Sequence, residues 1–174
     1  MKKICLLAFS LLVFLFSFNI SFGQEISPTP TPKINYELPY PGLLPDSPIY
    51  FLRIVRDKII DLLISDPLKK SEFYLLQADK RLNAGISLFN KGKFSLALST
   101  ISKAENYFEK ALEKTMEAQE QGMDTKDIKR RLINAVVKHK EELDKIIKKA
   151  NKEFKVGFEK EQKRVLTFQE KLNK

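Results

Sequence analysis

The stretch DPLKKSEFYLLQADKRLNAGISLFNKGKFSLALSTISKA, residues 66–104, decides the fold of this chain. Asp66-Pro67 is typical of a helix start, because aspartate accepts a backbone N–H and proline at the first helical position loses no useful donor. Small and apolar side chains then recur every three or four residues, at Leu68, Ser71, Leu75, Ala78, Leu82, Gly85 and Phe89. This spacing predicts an amphipathic helix with one buried face.

A glycine divides the stretch into two helices. Gly92 favours the left-handed conformation that ends a helix, and Lys91 and Lys93 place cations near its negative end. A second helix is predicted from about Phe94 to Gln121, and its apolar face comprises Phe94, Ala97, Ile101, Ala104, Phe108, Ala111 and Thr115. The short connection makes the two helices antiparallel neighbours.

Helical patterns also flank this hairpin. Upstream, Ser47-Pro48 predicts a helix to about Ile64 with apolar residues at Ile49, Leu52, Val55, Ile59, Leu62 and Leu63. Downstream, Asp124 or Thr125 caps a helix whose apolar face comprises Ile128, Leu132, Ala135, Val136, Leu143, Ile147, Ala150 and Phe154, continued by Phe158, Val165, Phe168 and Leu172. We therefore predict an all-α, up-down antiparallel bundle of about four helices over residues 46–174, with a long C-terminal helix.

The last helix is too long for its neighbours. Unbroken to the C-terminus it would span about 74 Å, against about 42 Å for the helix that begins at Phe94. It must overhang the bundle, pack against another molecule, or break and fold back. Asn151 and Gly157 are the expected break points, and an overhang would offer a surface for self-association.

The N-terminus has the three parts of a secretory signal. Lys2 and Lys3 precede an apolar run over residues 4–18, and Ser21-Phe22-Gly23 offers the small residues of a cleavage site. We expect residues 1–23 to be a signal peptide and the protein to be secreted or held in the extracytoplasmic envelope. The alternative is an uncleaved membrane anchor over residues 4–22, which are just numerous enough to cross a bilayer.

Two further features of the N-terminal region limit what the mature chain could contain. Cys5, the only cysteine, lies within the signal segment, so a mature chain would carry no disulfide, thiolate metal site or cysteine nucleophile. Residues 24–45 form a Pro/Thr-rich linker and a leading turn. Its alternation of proline with polar residues over residues 27–32 predicts a semi-rigid tether, with a ligand for a proline-recognising module as the alternative.

The sequence indicates no enzyme, cofactor or metal site. It has no Walker loop, dinucleotide-binding glycine pattern or G-x-S-x-G turn. His139 is the only histidine, and the residue three positions before it, where a di-iron bundle would place a glutamate, is Val136. We expect a packed or half-exposed imidazole rather than a metal ligand.

An acidic run on the predicted third helix has two interpretations. Glu105, Glu109, Glu113 and Glu117 recur every four residues. They could bind a cation such as Ca²⁺, although such a site normally needs ligands from a loop as well. The favoured interpretation is an exposed acidic face paired with nearby lysines.

Positive charge gathers in the last third of the chain. Residues 125–174 hold 16 basic and 8 acidic side chains. A candidate surface for a polyanion (wall polymer, anionic lipid membrane or nucleic acid) comprises Lys129, Arg130, Lys138, Lys145, Lys148, Lys149, Lys152 and Lys155. The alternative is a solvated helix whose lysines maintain solubility.

Residues 84–104 also resemble one tetratricopeptide unit. Gly85 and Ala97 are small residues of the kind that let two helices cross closely in that family. Only one such unit is visible, and solenoids need about three repeats. An ordinary helical hairpin is therefore favoured over a tetratricopeptide-like protein-binding hairpin.

Two motifs resemble an uncharacterised bacterial family, the domain of unknown function 5667. They are PGLLPDSPIY, residues 41–50, and DPLKK, residues 66–70, within a similarity that covers about residues 36–115. The resemblance implies a helical domain on secreted or membrane-anchored envelope proteins and transfers no activity. We accordingly expect a non-enzymatic interaction or scaffold domain whose partner is an envelope component, with polyanion binding as the alternative.

Overall fold

The computed structural model describes residues 36–173, which form five helices and no β-strand. The helices are α1 (Tyr50–Leu63), α2 (Pro67–Asn90), α3 (Phe94–Glu120), α4 (Lys126–Lys149) and α5 (Lys152–Leu172). The all-α bundle is confirmed, with one helix more than expected. The predicted signal peptide and residues 24–35 of the predicted linker lie outside the described range.

The α2–α3 hairpin forms as its sequence predicts. The Asp66 carboxylate accepts a hydrogen bond from the Lys69 backbone N–H at 2.9 Å, and Pro67 is the first helical residue. Gly92 ends α2 with a φ of 73°, and the backbone N–H of Lys93 donates to Leu88 at 3.0 Å. These contacts satisfy backbone groups that the helix itself leaves unpaired.

α2 and α3 cross closely at Gly85. A Cβ built at this position would lie 2.4 Å from Ile101 Cγ1 and 3.3 Å from the Ala97 carbonyl oxygen. Ala97, Ile101 and Ala104 are fully buried on the facing side of α3. The small residues at residues 85 and 97 thus set the distance between the two helices.

The start of α1 differs from the prediction. The helix begins at Tyr50, and no side chain caps it. Ser47 and Pro48 instead belong to a turn, in which the Ser47 N–H donates to the Leu44 carbonyl at 3.0 Å and the Ser47 carbonyl accepts from Tyr50 at 3.1 Å. Because the backbone of Ser47 is engaged in this turn, the serine-proline pair precedes the helix rather than starting it.

The long C-terminal helix breaks and folds back. α4 ends at Lys149, Ala150 and Asn151 are extended, and the Asn151 side chain accepts from the Phe154 N–H at 3.3 Å to start α5. Asn151 is therefore the break point, whereas Gly157 lies inside α5, where a Cβ would be 2.4 Å from Leu98 Cδ2. The length that suggested an overhang is packed against the bundle.

Aromatic rings join α5 to the rest of the core. Phe168 stacks on Phe108 of α3 with ring centroids 5.3 Å apart, and Phe158 meets the edge of Phe89 of α2 at 5.7 Å. Such pairs add to the free energy gained from burying their apolar area. α5 is thereby an integral part of the bundle, in contact with α3 and α4.

Two leucines provide a matched test of this core. Leu82 is fully buried in α2, whereas Leu62 of α1 is 82% exposed. Leu82→Ala should lower the free energy of unfolding by about 2–5 kcal/mol, because it leaves a cavity, and Leu62→Ala should change it by less than about 0.5 kcal/mol. Urea unfolding of the two variants measures both, and equal losses would contradict the burial pattern.

The cap of α2 provides a second test. Asp66→Ala removes the acceptor for the Lys69 N–H and should cost about 1 kcal/mol. Asp66→Asn keeps an acceptor oxygen and should lose less, so the two variants separate the cap from other effects of the substitution. Thermal unfolding midpoints measure the difference, and an unchanged midpoint for Asp66→Ala would show that the cap contributes nothing.

Candidate functional site

The side of α1 that faces away from the bundle is apolar. Seven of its large apolar side chains are exposed, and together they define the outer face of α1: Phe51, Leu52, Ile54, Val55, Ile59, Leu62 and Leu63. Leu62 and Leu63 are the most open, at 82% and 75% exposure. Exposed Tyr40, Leu43 and Ile49, from the segment before the helix, extend the apolar surface. Contiguous surfaces of this kind mark sites of contact with proteins or membranes.

This orientation corrects the expectation from the sequence. Helical spacing grouped Leu52, Val55 and Ile59 as a face to be buried, yet all three are exposed. The buried side carries Arg53 and Asp57, which are 5% and 3% exposed. A hydrophobic face was found correctly, but it points outward.

Charged partners on the bundle explain why the polar side faces inward. The Asp57 carboxylate lies 3.2 Å from Arg81 Nη2 of α2, and Arg53 Nη1 donates to the backbone carbonyls of Pro41 and Leu43. The Arg81 guanidinium in turn lies over the Tyr107 ring at 4.1 Å. Because buried charges are stable only when paired, the side of α1 that carries opposite charge must meet Arg81.

The C-terminal half of α1 also contacts α2 through a charged pair. Lys70 Nζ lies 3.6 Å from the Asp61 carboxylate. Burial and the neighbouring Asp61 raise the pKa of Tyr74 well above its usual range, so the phenol stays neutral. The contacts between α1 and the bundle thus include a series of polar pairs that fixes which side of the helix is exposed.

A cationic cleft borders the outer face of α1. Its volume is about 230 Å³, and its walls are Pro41, Gly42, Leu43, Leu52, Arg53, Arg56 and Lys80. Three of these seven residues carry a positive charge. Leu52 belongs to both the cleft and the outer face, so the two features are continuous.

A second polar group lies in the centre of the bundle. His139 of α4 is fully buried, with Nδ1 3.0 Å from Glu105 Oε1 and Nε2 3.0 Å from Asp79 Oδ1. Tyr36 Oη donates to the other Asp79 oxygen at 2.5 Å. The cluster therefore connects α2, α3, α4 and the segment before α1.

Charge keeps this histidine protonated. Burial alone would lower its pKa, but the Glu105 and Asp79 carboxylates outweigh burial and raise the pKa of His139 to about 10. His139 and Glu105 have no solvent-exposed surface and Asp79 is 4% exposed. The arrangement resembles a proton relay in its residues, but it is closed to solvent, and its contacts join α2, α3 and α4.

The sequence identified only part of this cluster. His139 is packed, one of the two expected placements, but Glu105 was assigned to an exposed acidic run. Its position beside Ala104, at the edge of the buried stripe, is the signal that separates it from Glu113 and Glu117. Of the other members of the run, Glu109 pairs with Arg164 at 3.2 Å and Glu117 pairs with Lys114. Within residues 36–173, no group of three or more His, Cys, Asp or Glu side chains could hold a metal ion.

Four of the eight residues of the candidate polyanion surface are paired with neighbouring side chains. Lys138 and Lys145 both contact Glu141 and Glu142, Arg130 pairs with Asp127 at 2.5 Å, and Lys129 donates to Gln119 at 2.6 Å. The other four residues are exposed around the α4–α5 turn and make no ion pair within the described part of the chain: Lys148, Lys149, Lys152 and Lys155. The structure therefore gathers four of the eight residues into one patch.

Comparison with known proteins gives a family and no close relative of known function. The model of the family described as a domain of unknown function (DUF5667) matches residues 42–171. No curated protein and no solved structure matches the chain. In the described residues, no helix combines the length and apolar character needed to cross a membrane.

The His139 cluster predicts a pH dependence of stability. The pKa of His139 is raised in the folded state from 6.5 to about 10, so the folded chain binds the extra proton in this interval. The resulting stabilisation is fully present below pH 6.5 and is lost as the pH rises toward 10, with a slope of at most about 1.4 kcal/mol per pH unit. Urea unfolding between pH 7 and 9.5 measures the slope.

His139→Gln is the matched control, because glutamine does not titrate. The variant should be less stable than the natural chain at pH 7 and should show little change over the same interval. An equal slope in both proteins would mean that His139 is not the group responsible.

Proposed function

We propose that this chain, which belongs to the DUF5667 family, is a non-enzymatic envelope domain that docks onto a lipid membrane surface through the outer face of α1. The observation that carries the proposal is the exposure of seven large apolar side chains on one side of a helix whose Arg53 and Asp57 are buried on the other. Transfer of that surface out of water would stabilise the docked state by about 25 cal/mol per Å² of apolar area.

The residues around the outer face favour a lipid interface over a folded protein. Helices that lie in a membrane interface combine an apolar face with Lys and Arg at its edges, and aromatic residues are enriched at the level of the interface. Arg56 and Lys58 of α1 are exposed beside the apolar side chains, and Phe51 and Tyr40 supply exposed rings. The surface therefore carries the three chemical components of an interfacial helix.

The predicted position of the domain along the chain supports the same partner. The Pro/Thr-rich linker predicted over residues 24–45, with its semi-rigid tether over residues 27–32, joins the predicted apolar segment to the domain. Tyr36 is held on α2 by Asp79, and α1 packs on the same helix through Arg81. If residues 4–22 stay in a membrane, the domain is tethered to that membrane. If they are cleaved, export still delivers the domain to the outer side of that membrane.

The solvent-closed polar centre supports the non-enzymatic part of the proposal. The only histidine has both ring nitrogens engaged with buried carboxylates, and neither the ring nor Glu105 touches solvent. A general base must come within hydrogen-bond distance of a substrate proton, and this group has no open path to one.

Polyanion binding through the C-terminal half is the second candidate function. Its specific observation is the exposed patch of four lysines at the α4–α5 turn, Lys148, Lys149, Lys152 and Lys155. Such a patch would bind polyanions without sequence preference, and the binding would weaken steeply as the salt concentration rises.

The α2–α3 hairpin is the alternative that rests on the resemblance to a tetratricopeptide unit. α4 and α5 cover this hairpin, since His139 and Phe168 both pack on Phe108, so it offers a less open surface to a partner protein.

The docking proposal is tested by locating α1 relative to lipid. A fluorophore is attached at residue 62 in the full chain, using Leu62→Cys with Cys5→Ser, and vesicles carry quenchers on the lipid headgroups. We expect strong quenching, because Leu62 would enter the interface. The same label on Val156→Cys, which is 70% exposed on α5, should be quenched weakly, since α5 packs mainly against α3 and α4, whereas α1 is joined to α2.

Two outcomes would contradict the proposal. Equal quenching at residues 62 and 156 would mean that α1 has no preference for lipid. A label at residue 62 that is protected from an aqueous quencher but is not reached by the lipid quencher would show that a protein, or a second copy of the chain, covers the outer face.

A further inference from the structure

The cleft beside the outer face of α1 has more positive than negative charge. Arg53, Arg56 and Lys80 line it, and Arg81 lies next to them on α2. One carboxylate, Asp57, serves all three arginines, at 2.7 Å from Arg56, 3.2 Å from Arg81 and 3.8 Å from Arg53. Lys80 makes no ion pair with any described residue. The region therefore lacks the anion that would balance it.

Arg53 shows the same imbalance at the level of single atoms. Its Nη1 is fixed by the carbonyls of Pro41 and Leu43, whereas its Nε and Nη2 have no hydrogen-bond acceptor among the described residues. The side chain is 5% exposed, and burial, with Arg81 and Arg56 nearby, lowers its pKa. An added negative charge in the cleft would relieve this unfavourable cation, since buried charges need a partner.

The chemistry of the cleft selects the kind of anion. Arginine and lysine together are the side chains that most often hold phosphate oxygens, arginine through its fork of donors and lysine as a point charge. Arg56 is 59% exposed and Lys80 is partly exposed, so both can reach a group that enters from outside. Leu52 and Leu43, which complete the walls, suit the glycerol carbons attached to a lipid phosphate.

We propose that this cleft binds the headgroup phosphate of an anionic phospholipid, with Arg56 and Lys80 donating to its oxygens and Arg53 supplying charge beneath them. The inference rests on the proposed docking of α1, because the cleft opens at the edge of the outer face through Leu52. It adds a selectivity: the domain prefers membranes that carry anionic lipid, and a defined pair of cations produces the preference.

The test compares a lysine that lines the cleft with a lysine that does not. Docking is read from lipid quenching of the label at residue 62, on vesicles of phosphatidylcholine alone or with added phosphatidylglycerol. Lys80→Gln removes a cation of the cleft, whereas Lys58→Gln removes an exposed cation of α1 that does not line it. Neither lysine makes an ion pair within residues 36–173, so neither change should disturb the fold.

We expect the natural chain to dock more strongly when phosphatidylglycerol is present. Lys80→Gln should weaken docking on those vesicles about fivefold, and Arg56→Gln with Lys80→Gln about thirtyfold, since each cation near an anionic surface contributes about 1 kcal/mol. The loss from Lys58→Gln should vanish at 0.5 M salt, because exposed charges are screened, while the loss from Lys80→Gln should persist in the partly enclosed cleft.

The possible results separate this inference from the proposed function. The first result to consider is that the natural chain docks, but Lys80→Gln weakens docking no more than Lys58→Gln does, both at low salt and at 0.5 M salt. In that case the cleft has no specific role, and only the docking proposal stands. If docking is unaffected by phosphatidylglycerol, the selectivity is refuted. If the label at residue 62 reaches lipid on neither kind of vesicle, the docking proposal itself fails and the cleft falls with it.

Discussion

The ion pair between Asp57 and Arg81 decides which side of α1 meets the bundle. Both side chains are buried, and a buried charge without a partner destabilises a fold by several kcal/mol. Rotating α1 to bury its apolar side would leave Arg81 facing leucine and isoleucine side chains, and would also release Arg53 from the two carbonyls around Gly42. The outward direction of the apolar side chains follows from this constraint, and so do the cleft and the docking proposal.

The segment before α1 depends on the same arrangement. Gly42 has a φ of 71°, a left-handed conformation that favours glycine, and the carbonyls on both sides of it accept from Arg53. Farther along, Asp46 holds Lys91 and Lys93 at the end of α2, and Asn83 donates to the Pro39 carbonyl at 2.9 Å. The sequence explained the motif at residues 41–50 only as a turn and a cap. In the structure, its contacts with Arg53, Lys91 and Lys93 hold α1 against α2.

Local signals account for the part of the fold that the sequence predicted. The start of α2 at Asp66-Pro67, its end at Gly92 and the break at Asn151 each depend on one or two residues and their own backbone, so they can be recognised without knowing the neighbours. The direction of α1 cannot, because it depends on Arg81, which is 24 residues away from Asp57 in the chain. A stripe of apolar residues at helical spacing says that a helix has two faces, and the charges on the surface it meets decide which one is buried.

The same limit explains the partial success at the polar sites. The sequence treated His139 as packed because it stood alone, yet its protonated state requires Glu105 and Asp79 from two other helices. The candidate polyanion surface was chosen by charge alone, and the structure divides it because Glu141 and Glu142 lie within one turn of Lys138 and Lys145.

A buried ion pair contributes specificity where a hydrophobic contact would not. Replacing paired charges with apolar residues of similar volume is often neutral or stabilising, so Arg53 and Asp57 are not needed simply to hold α1 in place. An α1 with leucine at both positions would have apolar side chains on both sides and could bury either side against α2. With the charges present, only one orientation pairs them, and the other side of the helix stays exposed. The polar inner side of α1 is therefore the feature that makes an exposed apolar surface compatible with a single folded state.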